Sequence, residues 1–290
     1  MKPPSQSNLD NIVDSIYRDN RPEVSIKLKD NGAGLPIAYN PFTNAIEVSP
    51  SVVSAIETGR EKGSLHAILH LSRGVRTLMN HEIGHYYQAQ TIAELIKDEL
   101  VLRGKYTPKR AEILSKLGKG DISDYLRLRH FFTIYPIGKA FQKVFEKYMD
   151  GAEAGATLYA LSLSKNPTND YASSIGLTVA YLAMKGGKKM KIPVKASDND
   201  MSSPLSAYRI EYKNWAEASL DERIDFLVGQ LLRHHGSDRF GDAKFIEEAS
   251  KLYYGKKKDF SDVDVDEAVK NGKLAARRLI KEMNSLGIKF

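Results

Sequence analysis

The 290-residue chain contains no cysteine. That absence excludes a disulfide framework, a thiolate metal site and a cysteine nucleophile together, so a transition metal here needs His, Asp or Glu ligands. Long apolar runs are missing too: the longest, around residues 175–184, is well short of the roughly 20 residues a membrane span requires. The opening MKPPSQSNLDNIVDSIY has a polar start and no apolar signal core. The expectation is a cytoplasmic protein. No internal repeat and no low-complexity tail interrupts the chain.

What is present is a folded composition, 42% apolar and 27% charged, on a chain long enough for a large core. The net charge is +7. Its excess gathers in MKGGKKMKIPVK, with Lys185, Lys188, Lys189, Lys191 and Lys195, and in YYGKKKDF, with Lys256, Lys257 and Lys258. These runs suit weak contact with nucleic acid or an anionic surface, although no aromatic stacking platform accompanies them.

Alternation in EVSIKLK, PIAYN and NAIEVS predicts three short strands before residue 50, read as a small antiparallel sheet. Asn8 or Asp10 suits the cap of a first helix, and Pro50 the first turn of the next. Thereafter the pattern is helical, with a short apolar piece at 65–71, a weak point at Gly74 or Asn80, and helical spacing through about residue 102. Further helices are predicted near 107–118, 136–164, 169–185, 204–215, 220–235, 242–254 and 264–286. The fold class is α+β, predominantly helical. The division expected is a main domain over 1–235 and a helical extension over 236–290 packed upon it.

TLMNHEIGHYYQAQ carries the chemistry. His81 and His85, four apart on a helix, share one face and present two ring nitrogens to one ion. Glu82 lies about 100° around the axis, placed to exchange a proton with a metal-bound water without ligating the metal. Gly84 leaves room for another element to approach. SLHAILHL is an internal control: His66 and His70 have the same spacing, but Ala67 stands where the base belongs, and the pair reads as partly buried and structural.

Such a site needs a third ligand. In HExxHxxGxxH sites a later histidine supplies it, but Gln88 and Thr91 occupy those positions here. A Glu from a second helix is the other solution. FEKYMDGAEAGATLYAL offers Glu146, Asp150 and Glu153 on nearly one face of an otherwise apolar helix.

HEIGH followed by E-x-x-x-D resembles the gluzincin zinc peptidases, closest to the HtpX and CAAX-prenyl-protease type. The resemblance implies a zincin-like fold and one catalytic Zn2+ held by His81, His85 and Glu146. It also implies Glu82 as base and Asp150 as support for a zinc histidine, followed by the small residues Gly155 and Ala156. Glu153 is the alternative ligand if the helix register differs. TNAIEVSPSVVSAI resembles the family's substrate-pairing hairpin, making its strand the expected edge for an extended peptide. NWAEASLDERIDFL resembles a late family motif through Glu222, Arg223 and Ile224, with Glu-Ala replacing His-Pro, so Arg223 becomes a candidate for steadying a substrate carbonyl. Unlike familiar members of the family, this chain has no membrane-spanning run. For the oxyanion of a cleaved peptide, Tyr148, Tyr212, Arg223, His234 and His235 are open candidates, and His234-His235 before Gly236 also reads as an ordinary helix end. The function expected is zinc-dependent hydrolysis of a protein or peptide. The alternative is a basic nucleic-acid- or surface-binding protein whose gluzincin-like core does not cut.

Overall fold

The computed structural model describes residues 3–30, 34–40, 43–102, 152–185, 218–237, 240, 242, 246 and 263–288, leaving aside the side chains of 19, 66, 67, 89–102 and 152. The architecture is α+β and mostly helical, with a small sheet near the N-terminus. The helices predicted near 107–118, 204–215 and 242–254, most of the one at 136–164, and the lysine runs beyond Lys185 lie outside the described residues.

Helix α1 (Gln6–Tyr17) starts one turn earlier than its sequence signals suggest. Ser5 is the cap and Asn8 the reciprocating residue three positions on, so Asn8 belongs to a capping box rather than capping alone. A short 3-10 turn (Arg18–Asn20) leads to β1 (Ser25–Leu28), β2 (Ile37–Asn40) and β3 (Ala45–Val48).

The sheet is mixed, not antiparallel. β3 is central, parallel to β1 and antiparallel to β2. The reason lies in burial. Every residue of β3 is buried, whereas β1 exposes one side, and a strand covered on both faces gains most from the middle of a sheet. Even Glu47 of β3 is buried, paired with Lys29 Nζ at 2.9 Å and Asn40 Nδ2 at 3.0 Å. The strand expected to offer an edge is therefore enclosed, and β2 is an edge strand instead. Ser49 N–H donates to Pro36 C=O at 3.0 Å, and Thr43 N–H to Asn40 C=O at 3.3 Å. Backbone alternation then turns the peptide groups of Ile37 and Tyr39 away from β3.

Helix α2 (Pro50–Glu61) begins on Pro50 as predicted. Helix α3 (Leu65–Leu102) runs unbroken for 38 residues through the supposed weak points. Gly74 is a packing device there: a Cβ would lie 2.7 Å from the Ser173 carbonyl oxygen of α5 (Pro167–Lys185). Helices α4 (Ala152–Ser162), α6 (Leu220–His234) and α7 (Val265–Ser285) complete the described elements. Helix α5 is buried continuously from Asp170 to Ala183 and packs against α3, α6 and α7. At the α5–α7 crossing a Cβ on Gly176 would sit 2.6 Å from the Ala275 Cβ. Covered over most of its length, this helix organises the core. Among the described residues no helix is long and apolar enough to cross a membrane.

Candidate metal centre

Helix α3 carries His81, Glu82 and His85 into the interior, and His81 and Glu82 are both buried. Gly84 makes the approach of α4 possible: a Cβ there would stand 3.0 Å from Ala156 Cα. The small residue within HEIGH and the small Ala156 on the carboxylate helix thus meet each other. Their contact brings Glu153 against the histidines.

The three side chains converge on one point. His81 Nε2 and His85 Nε2 are 3.0 Å apart, and Glu153 Oε2 lies 3.2 Å from the first and 3.3 Å from the second. These atoms form a group of His and Glu donors able to hold a metal ion. Four donors at the 2.0–2.1 Å bond lengths usual for a tetrahedral ion would be about 3.3–3.4 Å apart, so the triangle already has nearly the right edges.

The second nitrogen of each ring is also engaged. His85 Nδ1 contacts Gln88 Oε1 at 2.8 Å, and His81 Nδ1 contacts Thr157 Oγ1 at 3.2 Å. A carbonyl oxygen only accepts, so His85 carries its proton on Nδ1 and in the neutral ring leaves the Nε2 lone pair for a metal. Thr157 stands one turn after Glu153 on α4, where the resembled motif has Asp. The pattern E-x-x-x-D, slid seven residues along, becomes Glu153-x-x-x-Thr157.

Glu153 is therefore the carboxylate that reaches the histidines, whereas Glu146 and Asp150 lie outside the described residues. Gln88, which stands at the glycine position of the later-histidine pattern, acquires a role of its own. Substituting Gln88 by Leu or Thr157 by Val is expected to weaken metal binding about 10–100-fold with the fold retained. Chelator competition measures it.

His234, at the C-terminal end of α6, places Nε2 3.2 Å from the same Glu153 Oε2. His235 is buried beside it, its ring 5.1 Å from that of His81, with Nδ1 3.4 Å from the Tyr171 hydroxyl, which also bonds Ser237. The two histidines that read as a helix end are part of the cluster. Their signal in the sequence was the doubled His itself, which spacing alone could not assign. Arg223 lies eleven residues earlier on α6, about 16 Å along the axis from His234. Its matched neighbour Glu222 closes a capping box with Ser219, a local folding role. Tyr148 and Tyr212 lie outside the described residues.

No protein-family model, curated protein or solved structure matches this chain.

Charge in the cluster is strongly coupled. Burial opposes ionisation of Glu153, but His85 and His234 outweigh it and hold the carboxyl well below its usual range. Burial likewise opposes protonation of His85, yet the Glu153 and Glu82 carboxylates push it up to about 9. Burial is the main influence on Glu82 and raises its pKa, with Glu153 adding to it, against the lowering pull of His81, His85 and the Tyr39 N–H. His235 goes the other way, held neutral by burial and by His81 and His234. In chelator-treated protein, the raised His85 contributes stability fully present below its ordinary value of 6.5 and lost as pH rises through about 9. The expected outcome is a lower melting temperature of the metal-free form at pH 10 than at pH 6.5.

Glu82 is anchored from β2. The Tyr39 N–H, turned away from β3, donates to Glu82 Oε2 at 2.7 Å. The edge strand and the HExxH helix are thus joined at the carboxylate beside the donor triangle.

Proposed function

We propose that this protein is a zinc-dependent peptidase acting in the cytoplasm on protein or peptide substrates. The observation that carries the reading is the convergence of His81 Nε2, His85 Nε2 and Glu153 Oε2, with Glu82 held next to them. Two imidazoles and one carboxylate are the protein donor set of catalytic rather than structural zinc. Bound there, zinc would supply Lewis acidity and an acidified water.

The chain's own groups supply the rest. Glu82 is placed to accept a proton from water and return it to the leaving amine, and its burial-raised proton affinity suits both halves of that task. Tyr39 N–H fixes the orientation of the Glu82 carboxylate. Gln88 and Thr157 hold the imidazole rings by their Nδ1 atoms. Of the earlier candidates for steadying a carbonyl oxygen, His234 is favoured, because its Nε2 lies against Glu153, whereas Arg223 is remote along α6. The strand beside the site is β2 rather than the enclosed β3, and its outward Tyr39 N–H is committed to Glu82.

The test is hydrolysis of an unfolded protein substrate by the purified full chain. Activity should disappear with chelator and return with one equivalent of zinc. Metal bound at one equivalent without any hydrolysis would point instead to a structural core that does not cut.

A further inference from the structure

Away from the histidine cluster, the first half of α3, the start of α5 and the middle of α7 line a partly open cavity of about 150 Å3. Its polar lining comes from all three helices: His70 and Arg73 from α3, Asn169 from α5, and Asn271 and Arg278 from α7. No acidic side chain lines it. We infer that this cavity binds a small phosphoryl anion, either free phosphate or the head of a phosphate ester.

The charge balance supports an anion. Arg73 Nε and Arg76 Nη2 share a single carboxylate, the buried Asp170, at 3.3 Å and 3.1 Å. Two guanidinium groups on one carboxylate leave a positive excess at the cavity wall. Ser164 also donates to Asp170 Oδ2, at 2.5 Å, so that oxygen is already shared. Arg278 has no carboxylate partner among the described residues, while Lys273 pairs with Asp225 and the adjacent Arg277 with Asp221. The one arginine on α7 aimed into the cavity is thus the one left without an ion pair. Guanidinium forks and side-chain amides are donors suited to phosphoryl oxygens.

Shape narrows the class. Donors arrive from three helices, matching an anion with oxygens in several directions better than a planar carboxylate. On its far side Arg278 also lines a more open hollow of about 310 Å3 with Lys281, Glu282 and Ser285. Glu282 there is engaged by the Ser64 hydroxyl. The half-exposed Leu274 supplies an apolar flank to the first cavity, so a phosphate ester can seat its head among the arginines and its body beside Leu274.

Calorimetric titration of the full chain tests this, using inorganic phosphate, phenyl phosphate and acetate at matched ionic strength. Phosphate should bind, acetate should bind at least tenfold more weakly, and Arg278→Gln should weaken phosphate at least tenfold. Arg278 is exposed and unpaired, so that variant keeps its fold, checked by circular dichroism. Phenyl phosphate binding more tightly than phosphate identifies an ester as the occupant; equal binding identifies the free anion. Wild-type phosphate affinity in Arg278→Gln, which is also the result expected if phosphate sits on a metal at the histidine cluster, overturns the inference. So does acetate binding as well as phosphate, or a sodium chloride control that reproduces the heat.

Discussion

Glu82→Gln is expected to retain one equivalent of zinc and to lower peptide hydrolysis by roughly 10²–10⁴-fold, the usual share of a general acid–base group. The two halves of that outcome have separate causes. Glu82 is outside the donor triangle of His81, His85 and Glu153, so metal content should not change. The Tyr39 N–H that now donates to Glu82 Oε2 can donate equally to an amide oxygen, so the link between β2 and α3 survives. What glutamine cannot do is take up a proton. Zinc stoichiometry and hydrolysis are measured on the same preparation. Undiminished cleavage by the loaded variant would remove Glu82 from the mechanism.

The second large effect separates two carboxylates seven residues apart in the sequence. Glu153→Ala should abolish stoichiometric zinc binding, exceeding the roughly 10–100-fold loss typical of a supporting residue. Glu146→Ala should leave zinc content unchanged. Glu153 Oε2 lies 3.2 Å, 3.3 Å and 3.2 Å from the Nε2 atoms of His81, His85 and His234. Removing it reduces the donor set to two imidazoles. Glu153→Gln, which keeps side-chain volume and an acceptor for His234, guards against loss of fold and should also bind zinc poorly. Zinc retained by Glu153→Ala and lost by Glu146→Ala would reverse the assignment.

The competition between these carboxylates shows where a one-dimensional pattern runs out. Helical spacing predicts one stripe for Glu146, Asp150 and Glu153, and on that expectation all three satisfy the desolvation argument for a partner. Which one reaches His81 depends on where α4 crosses α3, and that depth is set by the contact of Gly84 with Ala156. A crossing position is a property of two surfaces, so spacing within one helix cannot contain it. The same limit explains His234 and His235. They lie about 150 residues from the motif they serve, and only the path of α6 brings its end to Glu153. Thr157 and Gln88 gained their roles the same way, as whatever stood opposite an imidazole Nδ1.

Local periodicity did determine a good deal. Four-residue spacing placed His81 and His85 on one face with Glu82 beside them, because helix geometry is independent of surroundings. Alternation located three strands, Pro50 located the start of α2, and the lack of cysteine confined any metal to nitrogen and oxygen donors. Tertiary structure decided the order of those strands. Burial on both faces drew β3 to the centre and left β2 at an edge, where Tyr39 meets Glu82. It also turned Gly74 from an apparent helix breaker into the closest point between α3 and Ser173 of α5. A residue's effect on its own helix is local, whereas the value of a missing side chain depends on what packs into the space.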